Sequence, residues 1–230
     1  MLRVFLSRDL LHGICQFQDG IYYDMLPLCD LGIPDCEDEM ASRREFDRID
    51  EVLTNWYDVN DGLAGVPLLI QCLPRLSPVL VVHAVNYGHL HIVKYLHEKL
   101  DVVASCQYKL LDLAAASGRI KVLEYLHSLE HAGCSREAMD LAAKNGHLSV
   151  VQFLHNHRHE GCTIRALNGA AMNGHMAVVL YLYKMRSEGC LRGAMNLAYI
   201  VGHLDVYNYL NKQLKLLKRC RCQQCPAQVF

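Results

Sequence analysis

From roughly residue 76 to residue 215, apolar residues recur at intervals of three and four on both sides of a series of glycines, the period of paired short helices. In one unit the pattern predicts a helix over Arg136 to Lys144 and another from Leu148 to about His157. In the second helix of each unit the third, sixth and tenth positions after the glycine are mostly polar. They read His91, Lys94, Glu98; Lys121, Glu124, Ser128; Ser149, Gln152, Asn156; and Asp205, Asn208, Lys212. These positions mark one solvated stripe. The second, fourth, fifth, seventh and eighth positions are almost wholly apolar, an arc wider than a helix resting on a single core needs. Such a helix is covered by a unit before it and a unit after it. Upstream, Ala41 to Val59 predicts an amphipathic helix with Phe46, Ile49, Leu53 and Trp56 on one stripe. A shorter helix is predicted over Val66 to Leu73, and Ser77-Pro78 reads as the cap and first turn of the first repeat helix.

The glycines are Gly88, Gly118, Gly146, Gly174 and Gly202, spaced 30, 28, 28 and 28 residues apart. A fixed period of this length is the mark of stacked structural repeats. Four residues before each glycine stands an alanine (Ala84, Ala114, Ala142, Ala170, Ala198), small enough for two helices to approach closely. Eight residues after it stands a leucine (Leu96, Leu126, Leu154, Leu182, Leu210), preceded by an aromatic (Tyr95, Tyr125, Phe153, Tyr181, Tyr209). The glycine itself suits a left-handed turn between the two helices, where a side chain costs about 1–2 kcal/mol. Ser135 and Thr163 stand where the first helix wants an N-cap.

The stretch Ala142-Ala143-Lys144-Asn145-Gly146-His147-Leu148-Ser149-Val150-Val151-Gln152-Phe153-Leu154 resembles the centre of an ankyrin repeat. The likeness recurs over residues 114–126 and 170–182, and more loosely over 198–210. It implies an all-α, ankyrin-like helical solenoid of about five helix-turn-helix repeats over residues 76–215. Residues 1–75, which lack the repeat markers, are expected to form an acidic N-terminal helical cap that shields the end of the stack. Tetratricopeptide and HEAT units, with periods of roughly 34 and 40 or more, do not fit. The usual ankyrin unit is about five residues longer, and its Thr-Pro-Leu-His start is replaced here by Glu137-Ala138-Met139-Asp140 and Arg165-Ala166-Leu167-Asn168. The loss falls on the loop that forms the projecting β-hairpin, so short turns are expected there.

With 230 residues, of which 52% are apolar, the chain has enough material for a sizeable core. It has no apolar run of the roughly 18 residues a membrane span needs, so no membrane contact is expected. Charge is divided: residues 1–75 hold 6 Lys/Arg and 14 Asp/Glu, against 17 and 10 in the remainder. Five of those 17 cluster at Lys212, Lys215, Lys218, Arg219 and Arg221, leaving the repeats only mildly basic and nucleic acid an unlikely partner for them. Four of the 11 cysteines (Cys106, Cys134, Cys162, Cys190) share one repeat column. Equivalent points on packed helices lie roughly 8–10 Å apart, beyond the ~7 Å limit of a disulfide. Reduced thiols are therefore expected, and with them an intracellular location, cytoplasmic or nuclear.

Candidate chemistry is sparse. His155, His157 and His159 near Cys162 suggest metal ligation, but His155 repeats a column with His97 and His127, and His159 matches His131. Packing accounts for such columns without a ligand. The Gly-His histidines (His89, His147, His175, His203) are assigned to bonding the turn backbone. Cys220, Cys222 and Cys225 in a basic tail over residues 216–230 could hold zinc only with a fourth ligand. There is no P-loop, dinucleotide fingerprint, zincin helix or nucleophile elbow. No catalysis, cofactor or metal is expected.

What remains is surface. Positions ten, six and two before the glycine share one face of the first helix and vary between units. They read Tyr108, Asp112, Ala116; Arg136, Asp140, Lys144; Ile164, Asn168, Met172; and Arg192, Asn196, Ile200. In ankyrin-like stacks the first helices line the concave side, so these residues are the expected contacts for a protein partner, with the chain itself a monomer. Two other readings stand beside this one. The basic tail offers nucleic-acid or targeting contacts, and Leu6 to Phe17 is similar to the opening helix of an F-box, which implies a ubiquitin-ligase adaptor.

Overall fold

The computed structural model describes residues 17–18, 21–33, 39–59, 62–101, 103, 106, 108–131 and 133–217. The F-box-like segment up to residue 16, the acidic run 35–38 and the tail from residue 218 lie outside the described residues. The chain divides into two compact units, one formed by Met1–Ala84 with His91–Cys106, the other by Val85–Leu90 with Gln107–Phe230.

In the first unit a two-residue antiparallel bridge pairs β1 (Phe17–Gln18) with β2 (Ile21–Tyr22), and a 3₁₀ turn follows at Tyr23–Leu28. The amphipathic helix is present as α1 (Glu39–Val59), which buries Ile49, Leu53 and Trp56 as its stripe predicts. The indole N–H of Trp56 donates to Asp24 at 3.0 Å, tying α1 to the 3₁₀ turn. Helix α2 (Val66–Cys72) starts with its proline in the first turn. Ser77 differs from its expected role. A 3₁₀ turn at Pro74–Leu76 runs directly into α3 (Ser77–Tyr87), Ser77 itself is helical, and its hydroxyl donates to the Pro74 carbonyl. With helical residues on both sides there is no free N-terminus to cap. His83, on α3, is almost fully buried and meets Asp50 of α1 at 2.9 Å. Helix α4 (Leu90–Leu100) completes the first helix pair.

The second unit contains four further pairs. These are α5 (Leu110–Ala116) with α6 (Ile120–Ser128), α7 (Arg136–Lys144) with α8 (Leu148–His157), α9 (Ile164–Met172) with α10 (Met176–Met185), and α11 (Leu191–Val201) with α12 (Leu204–Leu217). The connections between pairs are short and hold no strand among their described residues, as the shortened period predicts. Ala114, Ala142, Ala170 and Ala198 are fully buried, and the first helices pack closely, α5 on α7, α7 on α9 and α9 on α11. Second helices touch each other far less. Their apolar columns, for example Val122, Leu123, Leu126 and Val150, Val151, Leu154, point inward, while the predicted polar stripe is exposed in α6, α8 and α12. Truncating one of these buried leucines should cost about 2–5 kcal/mol.

In α11 two columns change. Three residues before the glycine the inner repeats have Ala115, Ala143 and Ala171, all fully buried, whereas α11 has Tyr199 at 62% exposure. Five residues after it, buried Leu123, Val151 and Val179 give way to Tyr207, whose ring centroid lies 5.2 Å from that of Tyr199.

Candidate functional site

The repeats are joined by seams in which each residue's partner belongs to the next repeat. Asp112 accepts hydrogen bonds from the Ser135 amide at 2.8 Å and its hydroxyl at 2.6 Å, and Asp140 repeats this with Thr163 at the same distances. Each hydroxyl oxygen also accepts the amide of Glu137 or Arg165 and so caps its own helix as predicted. Asp112 and Asp140 are only 6% and 5% exposed. The sequence pattern places both on the partner face; instead their carboxylates are consumed within the stack. At the next seam Leu191 stands where the hydroxyl residue would be and Asn168 where the aspartate would be, and the Asn168 side-chain oxygen is buried with no hydrogen bond. There Cys190 caps α11, its sulfur accepting the Gly193 amide at 3.3 Å.

The glycine and histidine columns form a second seam. A Cβ on Gly118 would lie 2.5 Å from His147 Nδ1, and Gly146 and Gly174 stand in the same relation to His175 and His203. Arg119 holds the histidine position one repeat earlier, and its side chain covers Gly88. Asn145 and Asn173 reach back to the carbonyls of Ala116 and Lys144, each at 2.7 Å. The histidines thus hold the preceding repeat's turn. Burial lowers the His147 pKa below its usual value, against the opposing effect of a hydrogen bond to the Ala116 carbonyl.

A third contact closes the short loops. Arg158 pairs with Glu160 at 2.6 Å, and Arg186 pairs with Glu188. The four column cysteines are free thiols. Burial, ahead of the nearby Glu160 and Glu188 carboxylates, pushes Cys134 and Cys162 each up to about 11. His155 lies edge-on to Tyr181, with its Nδ1 3.4 Å from the Arg186 guanidinium. A fixed positive charge beside that nitrogen opposes a metal ion. The hollow lined by Cys162, Thr163, Leu167, Tyr183, Arg186 and Leu191 measures about 20 Å³, room for a water and not for a substrate.

Of the remaining predicted contacts, Tyr108, Arg136, Met172, Asn196 and Ile200 are exposed, Ile200 at 77%. Lys144, Ile164, Asn168, Arg192 and Ala116 are half-buried. Exposed Lys109 and Arg165 lie one position further along the same helix starts. The pattern misses them, along with Tyr199 and Val201, because it follows a single helical face. The break from alanine to Tyr199 is the signal that marks them.

Residues 111–155 match the family model described as ankyrin repeats (many copies). No curated protein matches the chain. The match spans α5 to α8, and the same columns and seams continue through α9 and α10 into α11. By its repeat columns and by this match, residues 111–155 are ankyrin repeats, in a variant whose unit is shortened to 28 residues.

Proposed function

We propose that this chain is a non-catalytic binding module that holds a protein partner on the first-helix face of its second unit. Ankyrin repeats are typically non-catalytic and generally mediate protein–protein interaction. The observation that carries the reading is the contrast between the two kinds of position on the first helices. The regular positions, Asp112 and Asp140, are spent on seams, while the irregular ones, Tyr108, Arg136, Met172 and Ile200, are exposed. First helices pack closely while second helices stand apart, which supports reading this face as the concave one.

The test is cross-linking of the full chain in cells, comparing wild type with the triple variant Arg136→Glu, Lys144→Glu, Arg192→Glu. A partner adduct lost from the triple variant, but kept when the exposed second-helix residues Lys121 and Gln152 are changed, supports the face. Retention of the adduct in the triple variant counts against it. The F-box-like segment and the basic tail lie outside the described residues, and neither reading gains support from the geometry.

A further inference from the structure

We infer that the partner of this face is an acidic protein segment that carries apolar side chains; this rests on the first helices being the contact surface. Five cations lie on these helices or immediately before them: Lys109, Arg136, Lys144, Arg165 and Arg192. Three carboxylates share the same segments, Asp112, Glu137 and Asp140. Asp112 and Asp140 are buried and bonded to the next repeat's cap, and Glu137 stands 3.8 Å from the Lys109 ammonium. With two of the three carboxylates withdrawn into the stack, the solvent-facing charge of these segments is positive, and Arg136 and Arg165 are its exposed arginines. Arg136 shows how such a charge is held. Its Nε donates to the Glu160 carbonyl at 3.2 Å, a neutral partner that orients the guanidinium without cancelling its charge. The Lys144 stem lies along α9 because Gly169 has no side chain there; a Cβ would come within 3.0 Å of it.

The same helices and the residues just before them also carry exposed Tyr108, Met172 and Ile200. Apolar groups in water gain from being covered, and a phosphodiester backbone offers little to cover them. An acidic segment with Leu, Ile, Phe or Met among its carboxylates satisfies both features, with the charges steering encounter and the apolar groups supplying the buried centre.

The experiment pans immobilised full-length chain against a random linear peptide display library. The enriched peptides are then synthesised and titrated by fluorescence polarisation. The expected peptides combine Asp/Glu with large apolar residues. Their affinity falls roughly tenfold or more with Arg136→Glu plus Arg165→Glu, and separately with Met172→Asp plus Ile200→Asp. It also falls as salt rises. Circular dichroism checks each fold, and Arg136→Gln plus Arg165→Gln replaces the first pair if the Glu variant unfolds. Neutral or basic peptides that are lost on Met172→Asp plus Ile200→Asp would sink the acidic partner while leaving the face intact. Peptides indifferent to both pairs but lost on changing Lys121 and Gln152 would remove the face, and the inference with it. Displacement of the peptides by a single-stranded oligonucleotide, or no enrichment above bare support, would also overturn it.

Discussion

The imidazole of His147 fills the space that a side chain on Gly118 would need, with Nδ1 2.5 Å from where the Cβ would stand. Gly118 also has φ +70, so two constraints select glycine there. Gly202 has φ +91 but nothing within 4 Å of its missing Cβ. Gly202→Ala should therefore cost only the left-handed strain, about 1–2 kcal/mol, and Gly118→Ala clearly more. Urea unfolding of the two variants measures the difference. In a His147→Ala background Gly118→Ala should cost less than in wild type, a non-zero coupling between the two sites, and purely additive effects would show that the ring does not press on the turn.

Asp140 and Thr163 form a seam that a double-mutant cycle can isolate. Asp140→Ala leaves the half-buried Thr163 amide and hydroxyl without their acceptor and should destabilise by about 1–3 kcal/mol. Thr163→Ala also removes a cap, worth about 1 kcal/mol. The two losses should not add. Leu191 is buried, so Leu191→Ser alone should cost stability; adding Asn168→Asp should recover part of that loss by rebuilding this seam between α9 and α11, and no recovery would contradict that.

Acid should weaken the array through His147. Its folded pKa lies below the 6.5 of a free histidine because burial disfavours the imidazolium. The unfolded chain therefore binds the proton more tightly. The stability contributed by His147 is complete above pH 6.5 and is lost as pH falls through the lower folded value. Denaturation midpoints taken from about pH 8 down to about pH 5 should fall more steeply for wild type than for His147→Asn. Parallel curves would remove His147 as the cause.

Cys134 and Cys162, with thiols pushed up to about 11, should alkylate slowly at about pH 8 because the thiolate is the reacting form. Mass spectrometry after timed iodoacetamide treatment should find both lagging well behind a free thiol at about pH 8 and gaining at about pH 10. Rapid modification at the lower pH would mean that the short loops open.

The glycine, alanine and leucine columns make the helix pairs legible in the sequence, and α7 and α8 begin and end where the pattern places them. What the pattern does not give is who holds whom. Asp112 meets Ser135 and Gly118 meets His147 across separations of 23 and 29 residues, close to the repeat period itself. Correlations at that distance look like repetition when a unit is read alone. Read that way, the Asp column falls on the partner face and each histidine falls to its own turn. Arg119 is the visible exception, and its long side chain fills the space the histidine rings fill elsewhere.

Because no seam closes within one repeat, a 28-residue cassette carries an unmatched half at each end. Duplicating an internal cassette, such as residues 135–162, rejoins matched halves and needs no redesign. A cassette grafted after Leu217 would instead meet Tyr199 and Val201 where the inner repeats offer Ala and Ser or Asn. An array with this grammar lengthens from its middle.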